Sequence, residues 1–145
     1  MKMTLQPTIA GVEDLANVQI QSVEMQIHNC SIGSGDWQDL PNGQVLTGVS
    51  MQVELLVSGF NRLNLPAGTV SRLLPQAKTL RDVMDCCLVE IKSHRHWLYR
   101  FLNHKAVSRF ESAADRLDSL VETWEIGQDV RFYDFIREAT KETVA

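Results

Sequence analysis

The longest run of helical periodicity lies between residues 79 and 105, where Leu80, Val83, Met84, Cys87, Ile91, His94, Leu98, Phe101 and Leu102 fall on one side of a 3.6-residue repeat. That spacing predicts an amphipathic helix of about seven turns. Thr79 stands where an N-cap belongs, and Asp82 puts negative charge in the first turn, against the positive end of the helix dipole.

Two further stretches carry apolar positions that fit more than one period. In residues 8–30, Ile9, Val12, Ala16, Val23, Ile27 and Cys30 share a helical face. Val18 and Ile20, followed after a phase slip by Val23, Met25 and Ile27, also suit a bulged strand. The glutamines, which are good helix formers, favour the helix. In residues 44–63, Leu46, Val49, Val53, Leu56, Val57 and Phe60 make a helical stripe. Val45, Thr47, Val49, Met51, Val53, Leu55 and Val57 alternate as a strand would. Val and Thr favour the strand, and Pro41-Asn42-Gly43 suits a hairpin turn. The length of the run and its helical continuation into Phe60 and Leu63 favour the helix.

The connections come from turn formers and caps. Gly33, Gly35, Pro41, Asn42 and Gly43, with Asp36 and Asp39, mark residues 31–43 as a loop, and Trp37 is expected to anchor it to the core. Pro66, Gly68 and Pro75 predict a connector over residues 64–78, with room for a short turn at residues 70–74. Ser108 and Glu111 have capping-box spacing, so a new helix is expected from Ser108 to about Glu125, joined to its predecessor by residues 103–107. Its apolar face is Phe110, Ala113, Ala114, Leu117, Val121 and Trp124, and Glu111, Asp115 and Asp118 form an acidic back. Gly127 reads as a stop and Asp129 as a new N-cap, followed by a short helix carrying Phe132, Phe135, Ile136 and Ala139.

These elements predict one all-α domain over residues 1–145, an antiparallel bundle of four to five helices. The alternative is an α+β fold with an N-terminal hairpin packed on the C-terminal helices. Val18, Ile20, Met51 and Leu55 lie off the assigned stripes and together suit a self-association surface, so a homodimer is expected.

Composition narrows the functional classes. The chain has 44% hydrophobic and 22% charged residues, as ordinary globular proteins do. The first residues hold no apolar run that would make a leader or a membrane span. Cys30, Cys86 and Cys87 form no CxxC pair, which argues for a reducing, cytoplasmic setting and against a disulfide framework. A pI near 5.5 argues against a surface built throughout for nucleic acid.

Charge is unevenly spread. Residues 91–110 hold Lys92, Arg95, Arg100, Lys105 and Arg109 with no acid, a local +5 that leaves −9 on the rest of a chain of net charge −4. His94, His96 and His104 lie in the same window, interleaved with Trp97, Tyr99 and Phe101. His96, Arg100 and His104 recur at i, i+4, i+8 and form a ridge opposite the apolar stripe. Its plainest role is pairing with Glu111, Asp115 and Asp118 on the neighbouring helix. Its sharper role is docking, with arginine and aromatic residues as anchors. The partner-binding set expected on this basis is Lys92, His96, Trp97, Arg100 and His104, facing an acidic protein surface. Nucleic-acid phosphate is a less favoured partner and a membrane is not expected.

Catalytic and metal chemistry have thinner support. Glu24/His28 and Glu90/His94 place a carboxylate and an imidazole one turn apart, but the first pair faces outward and only His94 points to the core. Cys87 lies on the buried face, and Cys86 precedes Glu90 by a turn, which disfavours a thiolate. No catalytic residue, metal ligand or cofactor is therefore assigned. The expected function is a non-enzymatic interaction module, such as an adaptor, inhibitor or immunity-type factor. The alternatives are a metal protein using Glu90 and His94, or an RNA-binding or ribonuclease-like protein using Arg100 and His104.

Overall fold

A computed structural model describes residues 9–30, 36–94 and 96–143. It contains four helices: α1 (Ile9–His28), α2 (Gly43–Arg62), α3 (Ala67–Ser93) and α4 (Trp97–Thr143), with one 3-10 turn at Trp37–Asp39. The fold is an all-α bundle. No strand occurs among the described residues, so the α+β alternative is set aside.

Burial decides the ambiguous stretches. In α2, Leu46, Val49, Val53, Val57 and Phe60 are buried, whereas Met51 and Leu55 of the alternating pattern face water. Asn42 caps this helix, its side-chain oxygen accepting from the Val45 N–H at 2.9 Å. In α1, Ala16, Ile20, Val23 and Ile27 are buried. Ile20 therefore belongs to the core and not to the expected self-association surface, of which Val18, Met51 and Leu55 are exposed.

Contacts between the helices fix their directions. α1 packs on α2 and α3, and α4 packs on α2 and α3. Gln26 donates to Gln52 at 2.9 Å, and α1 and α2 run antiparallel. Lys92–Glu111 at 2.8 Å and Lys78–Glu125 at 2.7 Å show that α3 and α4 do so too. The other two seams are parallel. Glu13 of α1 meets Arg72 of α3, and Arg109 of α4 meets Glu54 of α2, with Phe60 and Trp124 5.2 Å apart further along. The bundle is thus antiparallel within each hairpin and parallel between hairpins. Buried side chains of all four helices form one core.

Three local signals give way to that core. α3 starts at Ala67, directly after Pro66, and carries Pro75 in its interior. The expected connector is therefore helix, and Thr79 is no N-cap: its hydroxyl donates back to the Pro75 carbonyl at 3.0 Å. An interior proline costs about 3 kcal/mol. Leu73, Leu74 and Leu80 are buried around it, and each contributes about 1.5–3 kcal/mol, which outweighs that cost.

The opposite correction applies at residues 94–96, where the expected long helix breaks between α3 and α4. Phe101 and Leu102, expected in its apolar stripe, are exposed. α4 then runs 47 residues without pause through Ser108, Gly127 and Asp129. Glu111 pairs with Lys92 and completes no capping box. Gly127 lies past the last packed residues, Val121 and Trp124, and the roughly 1 kcal/mol that a glycine costs inside a helix does not end this one. Residues 31–35 of the expected loop, Arg95, and the residues before Ile9 lie outside the described residues.

The parallel seams carry a pH dependence. The Arg72 and Arg109 guanidinium groups hydrogen-bond Glu13 and Glu54 and hold both carboxyls below the ordinary glutamate range. A folded value below the unfolded one means a contribution present above the unfolded value, near 4.3, and lost as pH falls through the folded one. The thermal midpoint should stay flat from pH 7 to about 5.5 and fall below about pH 4.3. In an Arg72→Ala/Arg109→Ala double variant that decline should be smaller, which circular-dichroism melts across pH would check.

Candidate interaction surface

The turn joining α3 to α4 is made from the basic window. His94 adopts extended backbone (φ −82°, ψ 123°) and closes α3. His96 opens α4: its Nδ1 accepts from the Leu98 N–H at 3.3 Å, and its carbonyl accepts from the Arg100 N–H at 3.3 Å. The His96 ring stacks on Trp37 at 4.5 Å and 20°, and lies near-parallel to Trp97 at 6.4 Å. Trp37 is half-buried against the core, as its loop position leads one to expect.

Below this stack, α4 is fixed to the start of α2. Buried Tyr99 donates its hydroxyl to the Pro41 carbonyl at 2.9 Å, and Asn103 donates its side-chain amide to the Tyr99 carbonyl at 3.1 Å. The helix start at Gly43 passes close to this side chain: a Cβ there would stand 3.0 Å from the Asn103 side-chain oxygen, so a larger residue would press on it. Burial pushes the Tyr99 hydroxyl well above the usual phenol range, so it stays protonated and able to donate.

With Tyr99, Asn103 and Phe110 turned inward, the outer face of the same turns presents Trp97, Arg100, Phe101 and His104 at i, i+3, i+4, i+7. Trp97 is 71% exposed and Phe101 77%. The side chains of Arg100 and His104 make no ion pair or hydrogen bond with a described residue. A cleft of about 390 Å³ between the end of α3 and α4 is lined by Lys92, Tyr99, Arg100, His104 and Glu111.

Of the five expected docking residues, Lys92, Arg100 and His104 share this cleft, and Trp97 lies on the same outer face of α4. His96 is engaged in the turn and the Trp37 stack. Of the expected pairing between the basic window and the acidic back of α4, Lys92–Glu111 occurs; Asp118 is met instead by Arg81, from outside the window, at 3.4 Å. The first pair takes up Lys92 and leaves Arg100 and His104. Phe101 is the member that periodicity misplaced. Once the helix breaks at residues 94–96, its spacing from Trp97 moves it from the core stripe to the patch.

The remaining chemical candidates lie apart. His94 caps α3, and among the described residues no group of three His, Cys, Asp or Glu side chains is placed to hold a metal ion. Cys87 is buried and its thiol is pushed up to about 12 by burial, whereas Cys86 is exposed. Asp85 is raised above the usual carboxylate range by partial burial and by Asp118. No described helix is long and apolar enough to cross a membrane. Comparison with protein-family models, with curated proteins and with solved structures gives no match.

Two outcomes follow from this geometry. Tyr99→Phe should lower stability by about 1–3 kcal/mol, because it leaves the Pro41 carbonyl buried without a donor; chemical denaturation checks this. In native protein at pH 8, a thiol reagent should modify Cys86 first, and Cys87 only at the rate of unfolding, as peptide mapping would show.

Proposed function

We propose that the chain is a non-enzymatic cytoplasmic protein-binding module whose α4 face, with Trp97, Arg100, Phe101 and His104, takes an acidic partner segment with apolar side chains of its own. The observation that carries this reading is the exposure of two large aromatics beside two cationic or titratable side chains that nothing in the described chain pairs. Aromatic and arginine side chains dominate binding energy where they are desolvated together. The neighbouring Lys92 is tied to Glu111, so a partner carboxylate meets Arg100 first. Three unpaired thiols agree with a reducing compartment. The module also self-associates, through apolar surface remote from this patch.

The reading is tested with a synthetic helical peptide bearing glutamates on one face and leucines on the other, beside a single-stranded oligonucleotide as competitor. Peptide binding should weaken at least about 30-fold in Arg100→Glu, the loss of a hot-spot side chain worth about 2 kcal/mol. It should weaken comparably in Trp97→Ala, with helicity unchanged in both. Preferential oligonucleotide binding with a steep salt dependence would replace the protein partner with nucleic acid. Turnover of a substrate lost in His104→Ala would overturn the non-enzymatic reading.

A further inference from the structure

The last third of α4 leaves the bundle. Antiparallel pairing with α3 runs from Lys92–Glu111 through Lys78–Glu125, and Phe132 is level with Gly68 at the start of α3. From Asp129 to Lys141 every residue is exposed. This arm is amphipathic. Phe132, Phe135, Ile136 and Ala139 stand at i, i+3, i+4, i+7 and continue the stripe that buries Phe110, Leu117 and Val121 further up the same helix, while Arg131, Asp134, Glu138 and Lys141 share the other side. A helical segment of this length is marginal in water unless its apolar face is covered.

A second uncovered surface lies at the same end of the bundle. Between α1 and α2, a groove of about 410 Å³ is lined by Val12, Leu15, Leu55, Leu56, Phe60 and Leu63, and Gly59 contributes no side chain to its wall. Leu15 is 60% exposed, Leu55 72% and Leu63 40%; on the arm, Phe132 is 61% exposed, Phe135 71% and Ile136 44%. The groove runs along α1 from Val12 to Gln19, and the arm's anchors run from Phe132 to Ala139. Both spans are eight residues of helix, about 10 Å from first to last. The i, i+3, i+4, i+7 pattern is the one by which a helix lies in an apolar groove.

We infer that the occupant of each groove is the α4 arm of a second copy of this chain, exchanged reciprocally about a twofold axis. Area decides between one contact and two. At roughly 200 Å² for a large side chain, the six exposed residues just named bring on the order of 600 Å² to a single arm-in-groove contact, below the size of a specific interface. The reciprocal pair doubles this to about 1,200 Å², at the lower edge of that class. A one-way exchange would also leave an arm and a groove open at each end and grow into filaments, whereas the twofold closes. The inference rests on the self-association part of the proposed function and does not involve the Arg100 patch.

The test is the mass of the full-length chain by light scattering at about 10–100 µM. The expected result is a dimer of twice 16.4 kDa. Phe135→Glu on the arm, Leu55→Glu in the groove and Gly59→Trp, which fills it, should each weaken the dimer by about 100-fold or more, since each puts a charge or a bulky ring where an apolar fit is required. All three positions are open to solvent, so circular dichroism should show native helicity. An equimolar mixture of Phe135→Glu and Leu55→Glu should recover a weak heterodimer, because one intact arm then meets one intact groove. A wild-type monomer would overturn self-association altogether. A dimer that survives Leu55→Glu and Gly59→Trp but not Phe135→Glu would overturn the groove and point to arm-on-arm pairing. A dimer indifferent to Phe135→Glu, or growth into higher species, would overturn the reciprocal exchange.

Discussion

One uninterrupted buried stripe on α4 holds the bundle together, because it is the surface on which both α2 and α3 pack. Tyr99, Asn103, Phe110, Ala113, Ala114, Leu117 and Val121 are all at or near complete burial. Neither α2 nor α3 meets the other as extensively as each meets α4. Breaking α4 at Ser108 or kinking it would turn part of the stripe into water and expose two other helices at once. That constraint explains why a capping-box spacing leaves no mark on this helix. A cap is worth about 1 kcal/mol, against several buried side chains worth about 1.5–3 kcal/mol apiece.

The same comparison explains which parts of the fold are legible in the sequence. α1 and α2 are each governed by one apolar stripe and ended by recognisable turn residues, so periodicity places them within a residue or two. Even in α2, where alternation fits equally well, length selects the helix. α3 and α4 are not legible in this way. Pro75 is a strong local breaker inside a helix held by distant partners. The true boundary at residues 94–96 is capped by His96, a residue with no strong preference for that position. The phase of the apolar pattern is therefore carried across a break that it does not announce, and Phe101 and Leu102 are assigned to the wrong side.

The candidate surface inherits both the success and the error. Charge is a property of composition, so the basic window and its Lys92, Arg100 and His104 are visible without the fold. What composition cannot supply is which cation is already neutralised and which aromatic is turned outward. Those depend on Glu111 facing Lys92 across the α3–α4 seam and on Tyr99, between Trp97 and Phe101, turning inward to Pro41.

The mixed directions of the seams have a consequence for how the chain assembles. The antiparallel pairs α1·α2 and α3·α4 are sequence neighbours, so each can close as a hairpin with little loop entropy. The parallel seams join residues far apart: Glu13 to Arg72 across 59 positions, Glu54 to Arg109 across 55, and Pro41 to Tyr99 across 58. Contacts of that span close longer loops than either hairpin does, so the parallel seams carry the larger entropic cost of closure. The turn that displays Trp97 and Arg100 is tied down by one of these long-range contacts, so the outward placing of those side chains depends on the two halves of the molecule meeting.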